Sequence, residues 1–335
     1  MRAIVLSEYV KHPSELKVSS SAPDPTPNPS QYLIQVHAAA ANFFDILQIQ
    51  GRYQNQPPFP WVAGSEFAGV VLKSPSKSSR FQPGDGVFGA AQGSFATRLC
   101  VGQDSLLPVP RGWSFADASG LFVTAPTSYT ALVVRAGIAK GDWVLVHAAA
   151  GGVGLAAIQV AKALGATVIA TASTDQKLSI ASSYGADHVV SYTDANWPSR
   201  VKALTPSSRG VDIVFDPVGL VDKSTKCTAW NGRIVVVGFA AGSIEKLSLN
   251  KVLLKNIAVV GVFWGAYALN QPGLLPVVWE AVMRLIEDGK IRPTVFTDDS
   301  FWGLDSVKDA LTALASRRTW GKVVINLAPE EASRL

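Results

Sequence analysis

Two rhythms of apolar and polar positions divide the chain. From residue 1 to about 126, apolar residues come in short alternating runs broken by Gly, Pro and Ser: RAIVL, YLIQVHAAA, FAGVVLK, GDGVFGA and FATRLCV. Alternation with period two predicts strands with one buried face, so this part is expected to be a β-rich, barrel-like domain. The proline-rich segment 19–31, SSSAPDPTPNPSQ, lies between strand patterns and is expected to be a rigid loop within that domain. After TAPTSYTALVV the runs become uniformly apolar and are separated by helix-length stretches: WVLVHA, TVIATAS, HVVSY, VDIVFD, GRIVVVG and IAVVGVF. Six such strands predict a doubly wound α/β fold, a parallel sheet covered on both faces. A helix is expected over about 272–288, ended by Gly289. LDSVKDALTALASR predicts an amphipathic helix with Asp305 as its N-cap, and GKVVINL a last strand. The pattern predicts one domain over 127–267 set into a second made of 1–126 and 268–335.

The first of the six strands leads into a glycine turn, HAAAGGVGLAAI. Aligned on its last glycine, the turn reads Ala149-x-Gly151-x-x-Gly154, a strand–turn–helix dinucleotide fingerprint with alanine at the first position. This makes the 127–267 domain a candidate Rossmann domain. Gly151 would let the backbone approach a pyrophosphate, and Gly154 would let the helix pack closely on the strand. Gly152 adds freedom, and the helix start through Gly152, Val153 and Gly154 supplies N–H groups and a positive dipole end. The alternative is a glycine-rich turn with no ligand. The second strand ends in Thr171-Ala172-Ser173-Thr174, without the acid that grips the ribose in NAD sites. Asp175 is expected to begin the next helix. Ser173 can bond a 2′-phosphate and Lys177 can neutralise it, while Tyr192, ending the third strand, would cover the adenine ribose. These residues favour NADPH as the cofactor. The alternatives are a solvated lysine at 177 and a core-edge aromatic at 192.

Composition narrows the partners. The chain has 335 residues, 48% of them hydrophobic, which is ample for two cores. No run of 18 apolar residues predicts a membrane span, and MRAIVLSEY alternates like a strand rather than a signal peptide. The net charge of +5 is scattered, so no nucleic-acid partner is expected, only a local site for an anionic cofactor. Two cysteines, Cys100 and Cys227, cannot build a disulfide framework or a four-cysteine zinc lobe. A reducing, cytoplasmic compartment is expected. The alternative is peroxisomal, because Ser333-Arg334-Leu335 is close to the S-K-L address.

Along essentially its whole length the chain resembles the zinc-free quinone oxidoreductases (ζ-crystallin-like) of the medium-chain dehydrogenase/reductase superfamily. The resemblance rests on ANFFDILQIQGRY (41–53), GSEFAGVV (64–71), FQPGDGVFG (81–89), HAAAGGVGLAAIQVAKALGA (147–166), YGADHVVSY (184–192), VDIVFDPVG (211–219) and GKVVINL (321–327). Alanine at the opening of the glycine turn is part of that family's pattern. The resemblance implies a GroES-like barrel domain, a Rossmann domain, NADPH in the cleft between them, a small-molecule quinone or enone substrate, and commonly a homodimer. Zinc-dependent relatives bear a histidine before the Glu of a GHE motif and an earlier cysteine. Here Ser65 precedes Glu66, and ANFFD has no cysteine. His12, His37, His147 and His188 are not spaced with another His or Cys as ligand pairs, so no metal is expected.

Reduction of a quinone by NADPH needs placement, exclusion of water and donors to the developing oxyanion. By the family match these donors are Asn42 and Tyr53. Asp45 lies one helical turn beyond Asn42 and would share its face. Helix capping is the alternative for both Asn42 and Asp45. The same match adds cofactor contacts from Thr127, at the start of the helix entering the Rossmann part, and from Gly238, Phe239 and Phe263 at strand ends. Arg317 would reach the phosphates, or else serve as a helix C-terminal cation. Some relatives carry a tyrosine after the early Asp and an arginine after the sixth strand. Ile46 and Phe263-Trp264 stand here, which predicts a more apolar, aromatic pocket suited to flat rings. The expected function is a zinc-independent NADPH:quinone oxidoreductase. The alternatives are an enone or enoyl reductase and a non-catalytic RNA-binding or structural protein.

Overall fold

The alternating runs of the first third become eight strands in the computed structural model, which describes residues 1–327. They are β1 (Ala3–Leu6), β2 (Val18–Ser19), β3 (Gln31–Ala40), β4 (Trp61–Val62), β5 (Glu66–Lys73), β6 (Gly86–Ala90), β7 (Arg98–Gly102) and β8 (Leu106–Pro108). Helix α1 (Phe43–Ile49) follows β3, and α2 (Phe115–Ser119) and α3 (Leu121–Tyr129) follow β8. The apolar runs beyond them form β9 (Trp143–Val146), β10 (Thr167–Ala172), β11 (His188–Ser191), β12 (Val211–Asp216), β13 (Thr228–Val236) and β14 (Ala258–Gly261). Between these strands lie α4 (Gly152–Ala163), α5 (Asp175–Ser183), α6 (Trp197–Leu204), α7 (Val221–Ser224) and α8 (Leu249–Lys255). Helices α9 (Tyr267–Asn270) and α10 (Leu274–Glu287), then β15 (Phe301–Trp302), α11 (Val307–Ala315) and β16 (Val324–Asn326), complete the described chain. The tripeptide Ser333-Arg334-Leu335 lies outside the described residues.

Two units result: Met1–Val123 with Pro293 onward, and Thr124–Arg292. In the first, β2-β1-β4 form a small antiparallel sheet, and the larger sheet runs β15-β16-β3-β5-β6-β8 with β7 also paired to β3. Alternate residues of β3 and β5, among them Tyr32, Ile34, Phe67 and Val71, enter a core with Phe95, Leu106 and Ile325. The second unit is a six-stranded sheet in the order β11-β10-β9-β12-β13-β14, every pair parallel. Its central strands are buried on both faces, since Val144, Leu145, Val146, Ile213, Val214 and Phe215 are all inaccessible. That explains why their runs are uniformly apolar rather than alternating. The order reverses between β9 and β12, the switch point at whose carboxyl edge ligands bind in such sheets.

Two expectations need correction. The chain returns to the first unit at Pro293, not at 268. Helix α10 buries Val278, Trp279, Val282 and Ile286, and the segment behind it is tied to the second unit. The Gln159 amide donates to Arg292 O (3.3 Å) and accepts from Arg292 N (2.8 Å), and the Arg292 guanidinium lies 4.1 Å over the Tyr184 ring. Likewise Asp305 is not the N-cap of α11. It sits in a 3₁₀ turn, Leu304–Ser306, and pairs with Arg2 at 2.7 Å, while Ser306 takes the cap position. Among the described residues no helix is long and apolar enough to cross a membrane.

Candidate active site

Between β9 and α4 the backbone turns through Ala148, which adopts a left-handed φ of +45°. The Ala148 carbonyl accepts from Gly151 N at 2.8 Å, and the buried Ala149 donates its N–H to Thr171 O at 3.0 Å. The left-handed residue of this turn is therefore Ala148, and position 149 needs no glycine. Gly151 caps α4. Gly154 is the strictest position: a Cβ there would stand 2.5 Å from Ala148 O and 2.7 Å from Ala149 O, so only glycine fits. Gly152, Val153 and Gly154 form the first turn of α4, where N–H groups have no intrahelical partner and the dipole is positive. Such a terminus fits a pyrophosphate.

Beneath the turn, polar groups fix the strand ends. His147 is buried, with Nδ1 2.7 Å from Thr171 Oγ1 and Nε2 2.9 Å from Ser224 Oγ. Burial pushes its pKa down to about 4, although Asp216 pulls the other way, so the ring stays neutral. Asp216 ends β12 and accepts three backbone N–H groups, from Val218 (2.8 Å), Gly219 (2.9 Å) and Leu220 (2.5 Å). These bonds hold the β12 turn in one shape at the switch point.

The carboxyl edge gathers most of the sequence-predicted cofactor residues. Ser173 is exposed directly after β10. Thr174 caps α5 by accepting Lys177 N at 3.3 Å, so Asp175 begins the helix as expected. Tyr192 follows β11, donates its N–H to Ala172 O (3.2 Å) and packs partly on the core. Gly238 and Phe239 lie just past β13, and Phe263 just past β14, with the Phe263 ring 59% exposed. Thr127 is placed differently from the expectation. Its helix, α3, already starts at Leu121 after Gly120 closes α2, so Thr127 is buried in the helix interior. Arg317 belongs to the first unit, exposed and left-handed (φ +57°) just past α11.

The first unit holds a second concentration of chemistry. Asn42 precedes α1, and the Asp45 carboxylate caps it, accepting Asn42 N–H at 2.7 Å. The other Asp45 oxygen accepts from Ser65 Oγ at 2.9 Å. The Asn42 amide nitrogen donates to Glu66 Oε2 (3.0 Å) and to Ala40 O (3.4 Å), and Asn42 Oδ1 accepts from Lys322 Nζ (2.7 Å). Lys322 Nζ also donates to Glu66 Oε2 at 2.8 Å, and Glu66 Oε1 accepts from Val123 N at 2.8 Å. Strand register builds this cluster, because Ala40 pairs with both Glu66 on β5 and Val324 on β16. The Lys322 stem lies on Gly120, where a Cβ would come within 2.8 Å of it. Asn42, Asp45, Glu66 and Lys322 are buried; Ser65 is half-buried.

The three predicted catalytic residues differ in their surroundings. The Asn42 amide is committed inside the cluster, as its centre. Asp45, driven mainly by burial, has its pKa raised to about 7. Tyr53 is half-buried, stacked on Phe44 at 5.3 Å, and its phenol is pushed up by burial and by Asp45. Ile46 packs in the core of the first unit. Sequence reasoning missed Lys322 and the participation of Glu66. The available signal was a lysine inside an otherwise apolar strand run, GKVVINL.

Among the described residues, no three His, Cys, Asp or Glu side chains come together as a metal site. Glu66 is instead closed by an ammonium, so the residues present do not fit zinc. Residues 28–122 match the alcohol dehydrogenase GroES-like domain, and residues 152–287 match the zinc-binding dehydrogenase family. The chain is 37% identical over 330 residues to quinone oxidoreductase-like protein 2 of Rattus norvegicus, covering 97% of this chain and 92% of that protein. It is 31% identical over 266 residues to the quinone oxidoreductase of Homo sapiens, covering 78% and 80%. The crystal structure of Escherichia coli quinone oxidoreductase complexed with NADPH superposes with a TM-score of 0.84 at 28% identity, covering 97% of this chain and 100% of that one. Fold and relatives thus define an oxidoreductase. The chain belongs to the medium-chain dehydrogenase/reductase superfamily, in its quinone oxidoreductase-like branch.

Proposed function

We propose that the protein is an NADPH-dependent, zinc-independent quinone reductase. The observation that carries this reading is the end of β10, where Ser173 and Lys177 stand in place of a ribose-binding acid, beside a helix start suited to phosphate. The NADPH complex of the Escherichia coli relative supports the same cofactor. The first-turn amides of α4 hold the pyrophosphate, Ser173 and Lys177 the 2′-phosphate, and Tyr192 the adenosine end. Thr127, Gly238, Phe239, Phe263 and Arg317 are further contacts by the family match. When bound, the reduced nicotinamide supplies a hydride, and the protein must position the acceptor, keep water out and satisfy its charged oxygen. Tyr53 keeps its proton at neutral pH and serves as a donor to that oxygen, while Asn42 and Asp45 set the polar floor beside it.

A homodimer accords with this reading. Among the described residues strand β14 is the edge of its sheet, and Leu249, Leu253 and Leu254 of the neighbouring α8 are all more than 70% exposed. Sedimentation should give twice the chain mass. NADPH oxidation measured separately with a quinone and with an enone tests the activity. Quinone turnover supports the reading, enone turnover alone replaces it with an alkene reductase, and silence with both overturns it.

A further inference from the structure

We propose that Asp45 and Ser65 form a proton-delivery pair, in which a proton stored on the Asp45 carboxyl leaves through the Ser65 hydroxyl to the oxygen of the reduced acceptor. The proposal rests on the quinone-reductase reading. It starts from the charges of the buried cluster. Two carboxyl groups, Asp45 and Glu66, are enclosed with one ammonium, Lys322. Lys322 bonds Glu66 and Asn42 and makes no bond to Asp45. The charged or titratable groups that face Asp45 are Glu66 from β5, Lys322 ahead of β16, and Tyr53 beyond α1; the neutral ones are Asn42 and Ser65. The ammonium bonds Glu66 rather than Asp45, so burial outweighs its weaker pull on the second carboxyl, which keeps a proton close to neutral pH, consistent with its pKa near 7.

Geometry then selects the exit. Asn42, Glu66 and Lys322 are buried and bonded to one another. Ser65 bonds Asp45 from outside that buried group: its Oγ is 2.9 Å from Asp45 Oδ1, and the residue is half-buried. A hydroxyl both donates and accepts, so it can pass one proton on while taking another.

The step balances. The quinone gains a hydride, with its electron pair, from the reduced nicotinamide, which is oxidised. The resulting oxyanion takes the Ser65 hydroxyl proton, forming the O–H bond of the hydroquinone. The Asp45 O–H bond breaks as its proton moves to Ser65 Oγ. Asp45 remains as a carboxylate and is reprotonated from water. In this scheme Ser65 touches the acceptor, Asp45 acts through it, and Lys322 is the ion-pair partner of Glu66.

The test compares wild type, Asp45→Asn, Ser65→Ala and Ser65→Thr in NADPH-driven quinone reduction across pH. Wild-type turnover should fall as pH rises through about 7. Asp45→Asn and Ser65→Ala should each lose roughly 10²-fold in kcat and lose that pH limb, with NADPH affinity unchanged. Ser65→Thr, which restores the hydroxyl, should recover most of the rate. Infrared difference spectra of the wild type should carry a protonated-carboxyl band at mildly acidic pH that Asp45→Asn lacks. If Asp45→Asn is poorly folded, the serine pair decides the matter alone. Retention of rate and pH limb in Ser65→Ala, or absence of the carboxyl band, overturns the proposal. A wild type silent with every acceptor instead refutes the reductase reading itself, and the delivery step with it.

Discussion

Removing the Lys322 ammonium is the sharpest perturbation of the first unit. In Lys322→Met the Glu66 carboxylate, fully inaccessible to solvent, loses its 2.8 Å partner, and Asn42 Oδ1 loses its 2.7 Å donor. Breaking a buried pair by deleting one ion costs about 3–5 kcal/mol, because the other charge is left without water or partner. For a unit of this size each kcal/mol moves the midpoint by about 2–4 °C, so the first unit should melt roughly 6–20 °C lower. Calorimetry at neutral pH is the assay, with the transitions of the two units followed separately because a single two-state ΔG does not describe such a chain. The double variant Lys322→Met with Glu66→Gln removes both charges and leaves an amide that still accepts from Val123 N. It should recover at least about 1 kcal/mol over the sum of the single changes. A loss below about 1 kcal/mol in Lys322→Met, the worth of an exposed ion pair, would refute the claim that this ammonium is the charge partner of a sealed carboxylate.

Three further outcomes are expected. Gly154→Ala places a Cβ 2.5 Å from Ala148 O and should cost about 1–3 kcal/mol in the second unit while weakening NADPH binding, read by melting and by cofactor fluorescence titration. Ser173→Ala with Lys177→Ala should shrink the preference for NADPH over NADH by about 10–100-fold, since charge-assisted bonds to the 2′-phosphate are worth about 1.5–3 kcal/mol. His147 is held neutral, its folded pKa below the unfolded one. Its contribution is therefore complete above pH 6.5 and is lost as pH falls toward about 4, to a total of about 3 kcal/mol. His147→Gln should flatten that part of the stability–pH curve, and an unchanged slope would contradict the buried-imidazole account.

Much of the fold was legible because burial leaves a period. The buried strands of the second sheet read as continuous apolar runs, and the glycine turn kept its two sterically demanding positions, Gly151 and Gly154. The alanine at 149 was legible as a departure but not explained by sequence, since the left-handed residue proved to be its neighbour Ala148. What stayed hidden depends on contacts distant along the chain. Asn42, Glu66 and Lys322 are brought together by the register of β3 with β5 and β16, which no local pattern encodes. For the same reason the return to the first unit was placed at 268. Nothing in the local pattern of α10 reveals that Gln159 anchors Arg292, 133 residues away. Thr127 does not begin its helix: α3 starts at Leu121, right after Gly120 closes α2, and carries Pro126 in its interior.

The central claim is that this chain passes a hydride from NADPH to a quinone without a metal. Its most direct test is an anaerobic reaction of chelator-treated protein with NADPH and a quinone, counting cofactor consumed against hydroquinone formed. The account predicts one hydroquinone for each NADPH, at a rate the chelator leaves unchanged and well above that with NADH. Loss of turnover on chelation, equal use of NADH, or accumulation of semiquinone in place of hydroquinone would contradict it.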